Sequence, residues 1–332
     1  MQADEARLKG VEGRLRCWRP LPTASPPCTT TKHLLAYTHQ NNPKKRVPMS
    51  HDPIDTSSIS FTALYTGHCW VANGLAAPQF RTGMGAFYWH ALGPFEYLGG
   101  KIAGGNIRTF LLQRHHLIDA LVRKAIDEEG VTQILEIACG LSPRGHRFSN
   151  QYPQLHYVEA DLPDMAERKR ALLEETEGRR PTVMPINVFA ETGELSLPHV
   201  MSHFDHSKPV LVITEGLVNY FDEPTISGFW ATLRETLAAF PLGIYLTDNY
   251  PLLHDHPFHR TMKVLRGMLG AVSRSRVTFH FESDDEAEQC FRGLGYDPVR
   301  VHNPGDYYDT LPIPKSRGNP FVRIIEARTA RR

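Results

Sequence analysis

The sequence predicts an α/β fold with a doubly wound, mostly parallel, seven-stranded sheet of the Rossmann-like kind. Short apolar runs recur along the chain, at residues 132–138, 155–160, 182–188, 209–214, 243–248, 297–302 and 321–327. Helical patterns separate several of them, at residues 164–177, 223–240 and 284–293. Because strands that are apolar throughout alternate with helices, the sheet is expected to be covered on both faces.

A long helix is predicted ahead of the first strand, over residues 107–129. Leu111, Ile118 and Val122 belong to an apolar stripe at helical spacing, and Gly130 ends the pattern. Residues 51–106, rich in aromatic and small residues, are predicted to form an N-terminal helical cap. Residues 51–332 are therefore expected to be one domain, with 107–332 as its α/β core.

The first fifty residues differ from the rest of the chain. They contain nine basic residues, three acidic residues and six prolines, without lasting periodicity. Such a segment buries too little apolar surface to offset its ordering entropy, so residues 1–50 are expected to be a disordered extension. A natural start at Met49 is an alternative hypothesis for the same stretch.

Composition indicates a soluble globular protein. The net charge of +1 gives no general electrostatic reason to bind nucleic acid or membranes, and no apolar run is long enough to span a bilayer. The five cysteines are scattered and odd in number, which predicts neither a disulfide framework nor a zinc site and favours a reducing, cytoplasmic location. No metal site is expected.

The strongest local motif is the run ILEIACGLSPRG at residues 134–145. Its apolar strand leads into small residues, and Ser142 and Pro143 predict the N-cap and first position of a helix. A dinucleotide site would require glycines where Ala138 and Ser142 stand. Glu136 points toward this turn, and its carboxylate suits a cationic ligand better than a phosphate.

Acidic residues also follow the second and fourth strands. Glu159 and Asp161 lie at the end of the second strand, where an acid commonly accepts hydrogen bonds from ribose hydroxyls. Their spacing alone does not choose between them. Glu215 and a glycine follow the fourth strand, at the edge where such sheets bind ligands.

Four motifs in order resemble the leucine carboxyl methyltransferase superfamily, particularly its polyketide O-methyltransferase-like branch. They are SISFTALYTGHCWVANGLA, ILEIACGLSPRG, YVEADLP and ITEGLVNYF, with RHHLID at 114–119 upstream. The resemblance covers about residues 59–327. It implies a class I methyltransferase fold, S-adenosylmethionine as cofactor, and methyl transfer to a carboxylate or hydroxyl oxygen of a small molecule in secondary metabolism.

The resemblance also implies cofactor-binding roles at matching positions. Arg114 would contact the methionine carboxylate, and Ala138, Cys139 and Gly140 would lie under the methionine and ribose. Asp161 becomes the first choice for the ribose, with Glu159 behind it, and Glu215 would lie beside the cofactor. Asn187, followed by Val188, stands where the family usually has an aspartate near the adenine. Ala138 replaces the more usual glycine.

The sequence indicates the residues that would bind the methyl acceptor less clearly than those that would bind the cofactor. Candidate substrate residues come from the cap and the strand ends: Tyr65, His68, Trp70, Tyr220 and Asn249. His254 and His256 are further candidates for a catalytic base, which a carboxylate acceptor would not need. Residues 252–281 are predicted to be an insertion, either a lid or an extra core helix. Alternative functions are a protein C-terminal carboxyl methyltransferase and a non-catalytic cofactor-binding protein.

Overall fold

The computed structural model describes residues 56–103, 106–251 and 278–330, and within them a single sheet of seven strands. The strands are β1 (Gln133–Ile137), β2 (His156–Asp161), β3 (Thr182–Pro185), β4 (Val210–Thr214), β5 (Leu242–Asn249), β6 (Val299–His302) and β7 (Arg323–Ala330). The expectations for residues 1–50, for His254 and His256, and for most of the 252–281 insertion lie outside the described residues.

The sheet order is β3-β2-β1-β4-β5-β7-β6. The first five strands pair in parallel, and β7 runs antiparallel between β5 and β6. This confirms the mostly parallel sheet predicted from the sequence. In register, Ile137 at the end of β1 lies between Ala160 of β2 and Thr214 of β4. The chain order reverses between β1 and β4, and ligands of open α/β sheets bind at the carboxyl side of such a switch point.

Helices cover both faces of the sheet. They are α1 (Thr56–Ala72), α2 (Gly83–Ala103), α3 (Ile107–Glu129), α4 (Arg144–Gln151), α5 (Pro163–Glu174), α6 (Leu197–Met201), α7 (Glu223–Leu237) and α8 (Asp284–Gly293). None of the described helices is long and apolar enough to span a membrane.

Capping residues explain why α3 has the predicted bounds. The Asn106 side chain accepts a hydrogen bond from the backbone N–H of Thr109, which satisfies one donor of the first turn. Gly130 ends the helix at φ 71°, a left-handed conformation that glycine adopts without steric cost.

Alternate residues of β4 supply the two halves of the core. Val210 and Val212 pack into a cluster with α7, whose Trp230 is 1% exposed, whereas Leu211 and Ile213 pack into a second cluster on the other face. Burial on both sides accounts for the continuous apolar pattern of these strands.

Several element bounds differ from the sequence prediction by one to three residues, and two of the differences have a clear local cause. Helix α4 begins at Arg144 instead of Pro143, because the backbone N–H of Ser142 bonds to the Cys139 carbonyl at 2.8 Å and extends the preceding turn. The Ser142 hydroxyl still accepts from the backbone N–H of Arg144, at 3.3 Å. Strand β3 ends at Pro185, three residues early, because the backbone N–H of Asn187 bonds to the Leu195 carbonyl.

The cap helix α1 packs directly on the turn after β1. A methyl group added at Gly67 would lie 3.0 Å from the Cβ of Leu141, so glycine permits this close approach. One turn farther along, the Trp70 ring stacks on His115 of α3 at a centroid distance of 4.2 Å. The cap therefore covers the carboxyl edge of the sheet.

Candidate functional site

The turn after β1 lies at the switch point of the sheet and has an unusual backbone conformation. Ala138 has φ 55° and Gly140 has φ 48°, so two of its residues are left-handed. A non-glycine residue in this region carries a steric cost that a glycine at position 138 would avoid. Cys139 between them is buried. The turn therefore has the small residues and the sharp backbone bend that are typical of a ligand-binding βα loop.

Asp161 connects this turn to the end of β2 by hydrogen bonds. Its carboxylate accepts hydrogen bonds from the backbone N–H groups of Gly140 and Leu162, both at 2.7 Å. Burial raises the pKa of Asp161, and these two donors oppose that shift. Since a carboxylate has about four acceptor positions, Asp161 keeps capacity for further donors.

Glu159, the other candidate from β2, faces the protein interior. It is fully buried and lies 3.1 Å from the Nζ of Lys169 on α5. Lys169 also donates a short hydrogen bond to the Ser142 carbonyl, so this pair supports the turn from below. Burial raises the pKa of Glu159, although Lys169 opposes the shift. The geometry therefore favours Asp161 over Glu159 as the acid that faces a ligand.

Glu215, immediately after β4, is held from two sides. One oxygen accepts from the Nε of Arg114 at 2.8 Å, and the other is bonded by Arg144 and by the Nδ1 of His115. Burial would raise the pKa of Glu215, but Arg144, His115 and Arg114 hold it well below its ordinary value. Gly216 follows with φ 73°, and a side chain there would crowd the Arg114 guanidinium at 3.2 Å.

Arg144 is a fully buried cation at the start of α4. Its guanidinium bonds to Asp119 of α3 at 2.7 Å, to Glu136 of β1 at 2.7 Å, and to Glu215. Burial alone would lower the pKa of Arg144, but Glu136, Glu215 and Asp119 raise it well above its ordinary value. Three elements of the fold thus meet at one side chain.

Glu136 was expected to face a cationic ligand. Both of its oxygens are engaged by the protein, one by Arg144 and the other by the Tyr157 hydroxyl at 2.6 Å, and the residue is 1% exposed. Its charge is therefore balanced within the site, and its contact with a ligand stays a prediction.

His115 occupies the space between the arginines. Its Nε2 lies 2.8 Å from the Nη2 of Arg147, and its Nδ1 lies 2.9 Å from the Nη2 of Arg144 and 3.0 Å from the Oε2 of Glu215. Burial, reinforced by Arg144, lowers the pKa of His115. The neutral imidazole is the form that fits these contacts.

Arg114 connects Glu215 to the end of β5. Its Nη1 donates to Asp248 and to the Tyr250 hydroxyl, both at 2.9 Å, while Asp248 also accepts from the backbone N–H of Gly216 at 2.7 Å. These contacts engage the Nε and Nη1 of Arg114.

The remaining predicted residues lie at or near the same edge. Asn187 and Val188 follow β3 and are half-buried, and the Asn187 side chain accepts from the backbone N–H of Phe189 at 3.1 Å. Asn249 is 1% exposed, and neither of its amide atoms has a partner among the described residues.

The remaining candidate substrate residues are buried or half-buried in the protein. The Tyr65 hydroxyl donates to Glu96, and burial followed by the charge of Glu96 raises its pKa. Trp70 is 2% exposed, and Tyr220 lies half-buried in the short turn Val218–Tyr220. His68 is buried, and its Nδ1 has no partner among the described residues. Acceptor contacts of these residues stay predictions.

Sequence reasoning missed several charged or polar residues of the site, and four of them are instructive. These are Arg144, Lys169, Asp248 and Tyr250. A signal existed for Asp248 and Tyr250, since they end the fifth apolar run as Glu215 ends the fourth. Arg144 and Lys169 sit on polar helix segments, and only the tertiary structure shows that both are buried. No cluster suited to a metal ion occurs among the described residues.

The sheet order, the antiparallel β7 and the acids at the ends of β2 and β4 define the class I methyltransferase fold. Residues 89–233 match the family model described as leucine carboxyl methyltransferase. This match confirms the family resemblance inferred from the sequence motifs, and S-adenosylmethionine is the cofactor expected of that family.

Solved structures share the fold at low sequence identity. A candidate methyltransferase from Thermobifida fusca YX aligns with a TM-score of 0.57 and 17% identity over 82% of this chain and 94% of that one. A DUF574 family protein from Streptomyces avermitilis aligns with a TM-score of 0.56 and 14% identity over 82% and 97%. No curated protein sequence matches this chain.

Proposed function

We propose that this protein is an S-adenosylmethionine-dependent methyltransferase that acts on an oxygen atom of a small molecule. The observation that carries the proposal is the arrangement of Asp161 and Glu215 at the ends of β2 and β4, the two strands that flank β1 and its following turn. The family match over residues 89–233 supports the same reaction class.

The charge of the site favours a cationic ligand. Three guanidinium groups, those of Arg114, Arg144 and Arg147, face four carboxylates: Asp119, Glu136, Glu215 and Asp248. One negative charge is therefore in excess, and His115 adds none because it is neutral. S-adenosylmethionine carries one net positive charge, whereas the pyrophosphate of a dinucleotide would be repelled. A buried excess charge is costly until it is paired, so charge complementarity supports this cofactor.

Each end of the cofactor has fitting residues. The Arg114 guanidinium would bind the methionine carboxylate, and the free acceptor positions of Asp161 would bind the ribose hydroxyls. The side-chain oxygen of Asn187 would accept from the adenine amino group. The turn at 138–140, with its two left-handed residues, would allow the ligand to approach the backbone.

When bound, the cofactor supplies an electrophilic methyl group on its sulfonium. The residues of this chain contribute orientation and a dry environment. Arg114 of α3, Asp161 at the end of β2 and Glu215 after β4 would fix the cofactor, and the cap helix α1 would exclude water above the turn. Alignment of this kind accounts for much of the acceleration expected in an in-line displacement.

The function is tested by incubating the purified full chain with methyl-labelled S-adenosylmethionine and pools of small acceptors. Label is expected in an acceptor that contains a carboxylate or hydroxyl group, and NADH should remain unoxidised in parallel reactions. Transfer of label to nitrogen or sulfur acceptors alone would contradict O-methylation.

Base treatment of the labelled product separates the two oxygen classes. Methyl esters release labelled methanol in alkali, whereas methyl ethers do not. The description of the matching family favours a carboxylate, so protein C-terminal carboxyl methylation is the second candidate. Labelling of peptides that have free C-termini, but not of their amidated forms, would favour that alternative over a small molecule.

A further inference from the structure

Arg144 lies behind the proposed cofactor edge, not on it. The residue is fully buried, and each of its three guanidinium nitrogens donates to a carboxylate: Nε to Asp119, Nη1 to Glu136 and Nη2 to Glu215. Because the side chain is fully buried and each of its nitrogens is bonded within the protein, Arg144 is not placed to contact a ligand directly.

The contact with Glu215 has a specific geometric effect. Arg144 and His115 hold the Oε2 of Glu215, while Oε1 receives the Nε of Arg114 at 2.8 Å. Because Arg144 and His115 engage Oε2, a rotation of Glu215 toward a bidentate pair with Arg114 would break these contacts. Asp248 and Tyr250 engage the Nη1 of Arg114, so Nη2 is the one nitrogen of this guanidinium without a bond among the described residues.

We propose that Arg144 is a positioning residue for cofactor binding, which fixes Glu215 and through it Arg114. This inference rests on the proposed function, since it assumes that Glu215 and Arg114 contact S-adenosylmethionine. The planar fork of the guanidinium suits the role, because it reaches carboxylates from α3, β1 and β4 in one plane. A lysine retains the charge but cannot reproduce three directed contacts.

A competing explanation is that Arg144 only balances buried charge. The two explanations differ in the double variant Arg144→Met/Glu136→Gln. Removing one cation and one carboxylate together restores the net charge of the wild-type cluster, but it leaves the Oε2 of Glu215 without its arginine. The double variant therefore tests the positioning role of Arg144 without a change in the net charge of the cluster.

The experiment measures the affinity for S-adenosylmethionine by calorimetry and the folded state by thermal melting. It compares the wild type with Arg144→Met, Arg144→Lys, Glu136→Gln and the double variant. Arg328→Met is the matched control, since Arg328 is also paired with two carboxylates but lies opposite Ile244 near the amino end of β5, far from the edge.

Positioning predicts that the double variant melts at a higher temperature than Arg144→Met, because the net charge is restored, yet binds S-adenosylmethionine at least about 10-fold more weakly than the Glu136→Gln variant. Arg144→Lys should also bind about 10-fold more weakly than wild type while staying folded. The Arg328→Met control should keep wild-type affinity.

Recovery of both stability and affinity in the double variant would overturn the inference and leave the proposed function intact. Failure of the folded wild type to bind S-adenosylmethionine would instead overturn the proposed function itself. Undiminished binding by Arg144→Lys would also count against positioning, since it would show that charge alone suffices.

Discussion

The carboxylate of Asp161 accepts a 2.7 Å hydrogen bond from the backbone N–H of Gly140, which joins the turn after β1 to the end of β2. The same side chain accepts from the backbone N–H of Leu162, also at 2.7 Å. One carboxylate thus shapes the turn that the cofactor would approach and remains available to the ribose. Structural support and ligand binding are expected to be lost together when Asp161 is changed.

Asp161→Asn is expected to weaken S-adenosylmethionine binding by about 10-fold to 100-fold, because the amide offers one acceptor atom where two backbone donors are present. Equilibrium dialysis with labelled cofactor measures the change. Asp164→Asn is the control, since Asp164 lies exposed in the first turn of α5, three residues away. Equal affinities of the two variants would contradict a role for Asp161.

Ala138→Gly is expected to stabilise the protein by about 0.5–1 kcal/mol, because the alanine is held at φ 55° and glycine removes that steric cost. Urea denaturation measures the free energy of unfolding. Ala171→Gly, at an exposed position of α5, should instead destabilise by about 1 kcal/mol. A loss of stability at both positions would show that Ala138 is not strained.

Lys169→Met is expected to destabilise the protein by about 3–5 kcal/mol, because it leaves the fully buried Glu159 without its cation. The double variant Lys169→Met/Glu159→Gln should recover much of that loss. A double-mutant cycle on chemical denaturation measures the coupling between the two residues. Additive losses would contradict a direct buried pair.

Glu326 on β7 is expected to make stability depend on pH in the acid range. Burial would raise its pKa, but the hydrogen bond from His302, followed by the charge of Arg328, lowers it from 4.5 to about 2. Stability from this residue is therefore present above pH 4.5 and is lost as the pH falls toward 2. The size of the effect is about 3 kcal/mol.

Glu326→Gln should consequently reduce the free energy of unfolding at pH 7 and have little effect near pH 2. Denaturant titrations at several pH values measure the difference. Glu288→Gln is the control, because its pair with Arg292 lies on the surface and should contribute less than about 1 kcal/mol. The assigned pKa would be contradicted if the difference in free energy of unfolding between wild type and Glu326→Gln did not decrease toward pH 2.

Much of the fold could be predicted because the strands carry their own signal. Each is short and apolar, and α3 has a capping asparagine and a terminal glycine in the sequence itself. The end of β3 and the start of α4 were misplaced by one to three residues. Both bounds depend on hydrogen bonds that form only in the fold, from Asn187 to Leu195 and from Ser142 to Cys139.

The site was predictable in part for a related reason. Asp161 and Glu215 stand directly after apolar strands, so their position at the carboxyl edge follows from the sequence pattern. The sequence pattern does not reveal the buried residues that pair with these two acids. Arg144 on α4 lies in a polar segment with no apolar stripe to mark its burial, and its pairing with Glu215 joins residues 71 positions apart.

We propose above all that the edge formed by Asp161 and Glu215 binds S-adenosylmethionine. Calorimetric titration of the wild type with S-adenosylmethionine, S-adenosylhomocysteine and NADH, repeated on Asp161→Ala and Glu215→Ala, tests it most directly. Saturable binding of both adenosyl ligands but not of NADH, weakened about 100-fold or more in folded variants, is the predicted result. Absence of binding by the folded wild type, or undiminished affinity in both variants, would contradict the claim.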